Sequence, residues 1–312
     1  MNEQHIPLEG IVVPVLTPLD QDENVDEAGL RTLLQRLIAA GVDALFVGGT
    51  TGLGPLLPDV EWRRLMEIAR SEVGQQVPLL GGTMETSTPR AVERIRILES
   101  LGYRAFVASP TFYVTLHDER EFLRHFGACR DSTAMEMIIY NIPVCTGSSI
   151  PAGTMIEMIR RGWALTIKDS SGNRAYLEEV LKGGREYGFR LLQGNRPDLT
   201  WLEAAGVAGI VPGPANAVPE LFVEAWAAIR NGERDKLPQI QSRIGRIWEA
   251  LVSENDWISG ITYALATTGI GSERSIRPLQ PASEAMRRAI DALHLGNRPA
   301  NKFRRRNSSA AG

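Results

Sequence analysis

The sequence predicts an α/β chain folded as a (β/α)8 TIM barrel with a C-terminal helical extension, and three observations predict it. From Gly10 onward, short β-branched runs alternate with longer amphipathic segments, eight of each, the pattern of repeated βα units around a parallel sheet. The spacing leaves room for one helix between consecutive strands, which is what parallel neighbours need. No Gly-x-Gly-x-x-Gly follows the first strand, so the fingerprint of an open dinucleotide-binding sheet is missing and closure into a barrel is favoured.

In order, strands are expected at Ile11–Val15, Ala44–Val47, Pro78–Gly81, Ala105–Ala108, Met137–Tyr140, Leu165–Lys168, Arg190–Gln193 and Gly209–Val211. The clearest helices are Asp26–Ala40, where Leu30, Leu33, Leu34, Leu37 and Ile38 form one stripe, and Thr88–Leu101, with Ala91, Ile95 and Leu98. Ala175–Leu181 follows the sixth strand as a helix, and Gly41, Gly74, Gly102 and Gly206 fall where helices should stop. After Val211 the strand signals end. Pro219–Arg230 closes the barrel, while Asp235–Ser253, Trp257–Thr267 and Ala282–His294 make an extension too small to stand as an independent domain. The expected division is a catalytic barrel over 1–230, a helical extension over 231–295 and a polar, basic tail over 296–312. The tail's lack of periodicity predicts disorder rather than a nucleic-acid arm.

Composition narrows the function classes. With 43% hydrophobic residues, 23% charged and a net charge of -3 over 312 residues, nothing points to nucleic acid or a membrane surface. No run is long and apolar enough for a membrane span, and Met1–Pro7 lacks a secretion signature, so a cytoplasmic protein is expected. Two cysteines, Cys129 and Cys145, and four scattered histidines, His5, His117, His125 and His294, show no ligand spacing; neither metal nor cofactor is expected.

The chemistry centres on Leu165-Thr-Ile-Lys-Asp-Ser-Ser-Gly-Asn173. Lys168 ends an apolar run just before a turn and shares a strand face with Thr166, so a closing barrel would desolvate it and favour the neutral, nucleophilic amine. The plainer alternative is a strand-end lysine paired with Asp169. In a barrel the functional groups stand after the strand C-termini. There, Gly48-Gly-Thr-Thr-Gly-Leu-Gly-Pro55 offers the Thr50 and Thr51 hydroxyls and N–H groups for a carboxylate, or is simply a tight turn. Ser109-Pro-Thr-Phe-Tyr-Val114 is an aromatic loop, and Tyr140-Asn-Ile-Pro143 places a tyrosine that is either functional or a core aromatic. The seventh and eighth strands exit through Gly194-Asn-Arg-Pro197 and Pro212-Gly-Pro-Ala-Asn216.

In combination, Gly49-Thr-Thr-Gly52, Tyr140-Asn-Ile-Pro143, Ile167-Lys168 before its small polar loop, Gly194 and Gly209 to Asn216 resemble the dihydrodipicolinate synthase and N-acetylneuraminate lyase family of Schiff-base (class I) aldolases. The resemblance implies that Lys168 condenses with a 2-oxo acid such as pyruvate and that Tyr140 is the acid/base hydroxyl. It makes Thr50 and Thr51 the carboxylate and proton-relay residues, and puts Ser170, Gly194 and Val211 in the substrate pocket. Tyr113 would complete the relay from a neighbouring subunit; an alignment shifted by one residue puts Phe112 there instead. A homotetramer is implied. Two departures narrow the branch. Cys145 stands where the synthases carry an arginine for the aldehyde's carboxylate, and Asn195-Arg196 replaces the acidic residues of sialic acid lyases. Leu45-Phe-Val-Gly-Gly-Thr-Thr-Gly-Leu-Gly-Pro55 is most similar to 2-keto-3-deoxygluconate aldolases. The expected reaction is cleavage of a 2-keto-3-deoxy sugar acid, or a related 4-hydroxy-2-oxo acid, to pyruvate and an aldehyde. Dehydration through the same Schiff base, dihydrodipicolinate synthesis and a non-catalytic 2-oxo-acid-binding regulator are the alternatives. Arg196 either binds a second acidic group of the substrate or pairs structurally with Asp198 or an acid on the next helix.

Overall fold

The structure is a computed structural model that describes residue 6 and residues 8–252 and 257–295. The barrel is built from β1 (Gly10–Pro14), α1 (Glu27–Ala39), β2 (Ala44–Val47), α2 (Asp59–Val73), β3 (Leu79–Gly82), α3 (Thr88–Ser100), β4 (Ala105–Ala108), α4 (Glu119–Asp131) and β5 (Glu136–Asn141). It continues through α5 (Pro143–Thr146), α6 (Ala152–Arg160), β6 (Thr166–Asp169), α7 (Arg174–Gly184), β7 (Arg190–Gln193), α8 (Leu199–Ala205), β8 (Gly209–Ile210) and α9 (Pro219–Arg230). Every strand pairs in parallel with its sequence neighbours, and β8 returns to β1 to close the ring. Closure is tight there: a Cβ on Gly209 would lie 2.4 Å from the Gly10 carbonyl oxygen.

The two-residue period of the strands sorts their side chains into two apolar layers. Ile11, Val13, Leu45, Val47, Ile139, Ile167 and Leu191 point outward and pack under the helices. Val12, Phe46, Leu80, Val107, Ile138, Tyr140 and Leu192 fill the barrel interior. Lys168, one residue beyond Ile167, therefore points inward, above Thr166.

Between β5 and β6 two helical segments stand where the spacing suggests one. Pro143 starts the short turn α5, and Gly147, at φ +68°, ends it before α6 begins. The strand expected to begin at Pro78 begins at Leu79, and the last strand stops at Ile210, although the Val211 N–H still donates to the Gln193 carbonyl at 2.8 Å. The helices beside the site start where capping chemistry is available. Asn173 accepts from the Tyr176 N–H to open α7, and Asp198 accepts from the Trp201 N–H to open α8.

The extension contains α10 (Leu237–Leu251), preceded by a 3₁₀ turn at Arg234–Lys236, then α11 (Ile258–Ala266) and α12 (Glu284–Asp291). Leu237, Ile240 and Ile244 are buried, and burial of each stabilises the docking of α10 by about 1.5–3 kcal/mol. Gln241 fixes the angle: it donates to the Pro197 carbonyl and accepts from the Leu199 N–H, both at 2.9 Å. The extension is thereby clipped to the loop after β7, above the strand C-termini. No helix among the described residues is long and apolar enough to cross a membrane. The expectation of a disordered tail concerns residues outside those described.

Candidate active site

Lys168 is the next-to-last residue of β6 with its side chain inside the barrel mouth, and the residue is only 6% exposed. Its amine lies 3.9 Å from the centre of the Tyr140 ring and 4.9 Å from that of Phe46. Burial brings the ammonium down from 10.5 to about 7. That shift corresponds to about 5 kcal/mol against the charged form. The two ring faces return roughly 0.5–2 kcal/mol each to the cation, which is not enough to reverse it. Among the described residues no acid pairs with the lysine: Asp169, the alternative partner, is bonded elsewhere. It accepts from Asn141 Nδ2 at 2.7 Å and from the Ser171 hydroxyl at 2.7 Å and N–H at 2.9 Å. These bonds brace the loop that Lys168 enters.

Tyr140 and Lys168 are register partners on β5 and β6. Tyr140 is 3% exposed, and burial pushes its phenol above the ordinary tyrosine value. Its hydroxyl is 3.1 Å from Ser170 Oγ, and the Thr50 hydroxyl also favours its phenolate form. Thr50 favours the Cys145 thiolate in the same way, although burial still raises that thiol. Four polar groups, from β5, α5 and the loops after β2 and β6, thus converge beside one amine. Among the described residues, neither the Thr50 nor the Thr51 N–H is spent on a backbone carbonyl. With their hydroxyls, these groups form a receptor of the kind that holds a carboxylate.

Gly194 and Val211 border the same cavity, of about 330 Å³. Their N–H groups are already used, by the Asp169 carbonyl at 2.7 Å and the Gln193 carbonyl at 2.8 Å, so a ligand would meet their carbonyls. Gly194 has to be glycine, because a Cβ there would lie 2.1 Å from Ser170 Oγ and 3.1 Å from Lys168 Cε. Asn216 holds β1 to β8, accepting from Leu16 N–H and donating to Pro14 and Gly213 carbonyls. Arg196 reaches the cavity rim, but Asp198 is not its partner, since Asp198 pairs with Arg174 at 2.7 Å. Arg196 instead lies across Gly245, where a Cβ would come within 2.9 Å, and meets Glu249 of α10 at 3.3 Å.

The dihydrodipicolinate synthetase family model matches residues 7–294. The chain belongs to this family. It is 30% identical to the 4-hydroxy-tetrahydrodipicolinate synthase of Chlorobium limicola over 91% of its own length and 95% of that protein's. With the synthase of Acidiphilium cryptum it shares 30% identity over 92% and 97%. Among solved structures, it superposes on YagE of E. coli K12, a prophage member of the family captured with pyruvate, with a TM-score of 0.87 at 24% identity, covering 93% of this chain and 99% of that one. Bacillus anthracis dihydrodipicolinate synthase DapA-2 gives 0.86 at 25%, covering 95% and 100%. As a family member the protein is a lyase.

Two residues of the aromatic loop go separate ways. Phe112 faces inward against the interior apolar layer and lines a second cavity of about 550 Å³ that shares Thr50, Ile142 and Trp257 with the first. Tyr113 is 93% exposed at φ +73°, a conformation that costs a non-glycine residue of order 1–3 kcal/mol. Its hydroxyl is turned away from the site of its own chain.

The sequence reading did not identify the walls supplied by the extension. Trp248 and Val252 at the end of α10, with Trp257 and Ile261 around the start of α11, line the cavity opposite Lys168. Their only signal was two tryptophans flanking a break between amphipathic helices. Phe46, under the lysine, carried no signal beyond that of a core residue.

Proposed function

We propose that the protein catalyses reversible aldol cleavage of a 2-keto-3-deoxy sugar acid, or a related 4-hydroxy-2-oxo acid, to pyruvate and an aldehyde through a Schiff base on Lys168. The observation that carries this reading is an uncompensated, buried lysine whose amine titrates near 7 against a tyrosine on the adjacent strand. The neutral amine attacks the C2 carbonyl, and Tyr140 gives its proton to the departing hydroxide of the carbinolamine. This leaves an iminium beside a phenolate. Their opposite charges, with the Ser170 and Thr50 hydroxyls, counter the cost of burying the phenolate. The phenolate then takes the C4 hydroxyl proton as the C3–C4 bond breaks. The bond pair moves into the iminium, giving an enamine, and the aldehyde leaves. Protonation of C3 by Tyr140 restores the iminium, and water releases pyruvate and the amine.

Thr50 and Thr51 hold the substrate carboxylate, with Ser170, Gly194 and Val211 around the reacting carbons and Arg196 at the rim. Tyr113, exposed in the loop after β4, would complete the hydroxyl relay in the site of a neighbouring subunit of a homotetramer. Leu53, where other branches carry a glutamate after the glycine, and Cys145, where the synthases carry an arginine, support the aldolase branch. A second reading, dihydrodipicolinate synthesis, is favoured by the names of the relatives and uses the same pyruvate enamine with an aldehyde that bears a carboxylate. Borohydride reduction in the presence of pyruvate tests what both share. A pyruvyl adduct on the tryptic peptide containing Lys168, lost in Lys168→Ala, is expected. An adduct on Lys182 or Lys236, or none, refutes the mechanism.

A further inference from the structure

The part of the site beyond the reacting carbons differs in character from the part around them. The cavity at Lys168 adjoins the 550 Å³ lobe, sharing Thr50, Ile142 and Trp257 with it, and together they provide far more room than a three-carbon acid occupies. Trp248 and Trp257 face it from the extension, with Met84, Phe112, Ile142 and Leu279 around the wider lobe. Polar side chains do border it, but they are committed elsewhere. Ser109 Oγ donates to the Pro110 carbonyl at 2.9 Å, and Asn195 Nδ2 to the Ser170 carbonyl at 3.1 Å. Thr146 Oγ1 lies 2.9 Å from the Ser148 carbonyl and 3.1 Å from that of Ile142. Among the described residues, what remains beyond the carboxylate receptor is the Cys145 thiol, a weak donor, the Trp248 and Trp257 indole N–H groups on otherwise apolar rings, and Gln280 at the exposed rim.

Charge gives the same answer. A cation at the far end would favour a substrate with a second carboxylate or a phosphate. The cations lining the two lobes are Lys168, consumed by the Schiff base, and Arg196, which faces Glu249. A sugar chain would meet the Gly194 and Val211 carbonyls near the reacting carbons, but hydroxyls farther out would lie against the apolar walls of the wider lobe and lose water with few protein partners.

We infer that the aldehyde released from C4 carries a bulky apolar group, of aromatic size, seated between the tryptophans of the extension and the Phe112 and Leu279 wall. This narrows the proposed aldolase reading and rests on it. It selects the 4-hydroxy-2-oxo acids with an apolar substituent over the sugar acids and the acidic semialdehydes. The extension is then the specificity element, and the strand ends supply the chemistry.

The test runs the full-length enzyme in the synthetic direction with pyruvate and, in turn, benzaldehyde, glyceraldehyde and succinic semialdehyde, measuring kcat/KM for each aldehyde. Benzaldehyde should exceed the other two by tenfold or more. Trp248→Gln and Leu279→Gln should each lower the ratio of the benzaldehyde value to the glyceraldehyde value by threefold or more. A preference for glyceraldehyde or the semialdehyde, with borohydride trapping of pyruvate on Lys168 intact, overturns the apolar subsite and leaves the Schiff base standing. Equal use of all three, the outcome if a second copy of the chain fills the wider lobe, overturns it as well. Loss of trapping brings down the aldolase reading and this one together.

Discussion

The amine of Lys168 lies 3.9 Å from the centre of the Tyr140 ring because the two residues are paired across β5 and β6. Parallel register alone places the amine beside the phenol ring. Neither residue depends on a flexible loop for position, so the pair is preorganised before substrate arrives.

The depressed lysine sets a pH dependence. Schiff-base formation needs the neutral amine, so the pyruvate trapping rate should rise with pH and level off above about 7, the value to which burial brings Lys168. Stability follows from the same shift. The folded-state value lies below the unfolded 10.5, so the unfolded chain binds more protons between the two, and the penalty of the buried ammonium is largest below 7 and gone above 10.5. Lys168→Met should therefore raise the melting temperature, more at pH 6 than at pH 9. A variant no more stable than the parent at pH 6 would contradict the assigned burial.

Tyr140→Phe keeps the apolar ring under the amine and removes only the hydroxyl. Turnover should fall by roughly two to four powers of ten while pyruvate is still trapped on Lys168. Loss of trapping in proportion to turnover would show instead that the ring's packing is what matters.

Gly194→Ala adds a methyl where Ser170 Oγ stands 2.1 Å and Lys168 Cε 3.1 Å away. Overpacking should cost about 1–3 kcal/mol of stability, and displacement of Ser170 should lower kcat at least tenfold. Gly206→Ala, with no atom within 4 Å of its added Cβ but a left-handed backbone, should lower stability while leaving kcat nearly as it is. Parallel losses of kcat in both would remove the special role of Gly194.

Arg196→Ala separates recognition from scaffolding. The Glu249 partner is 69% exposed, so the pair itself contributes about 0–1 kcal/mol. With the charge already answered by Glu249, kcat/KM for acidic and neutral aldehydes should fall by the same small factor. A selective loss of about 1.5–3 kcal/mol for an acidic substrate would identify Arg196 as its receptor.

The iminium supplies the electron sink, so no Lewis acid enters the cycle. Exhaustive chelation should leave turnover unchanged; loss on chelation with recovery on added zinc would refute the Schiff-base route.

The alternation of β-branched runs and amphipathic stripes was enough to give eight strands, a closed barrel and the shared face of Thr166 and Lys168, because strand period and helix period are local properties of the chain. Thr50, Thr51, Tyr140 and Gly194 were legible for a related reason, since each stands in the first residues after a strand or at its last position, where a barrel concentrates its chemistry. What the sequence left open were questions of direction. Asp169 could have paired with Lys168, Arg196 with Asp198, and Phe112 or Tyr113 could have turned inward. Each was settled by which face of a strand or loop the side chain leaves from, and by partners far away in the chain, such as Asn141 for Asp169 and Glu249 for Arg196. The walls of the far cavity were illegible for the same reason. Trp248 and Trp257 face Lys168 only because Ile240, Ile244 and the Gln241 clip dock α10 over the barrel mouth, and docking depends on long-range packing that no local pattern encodes.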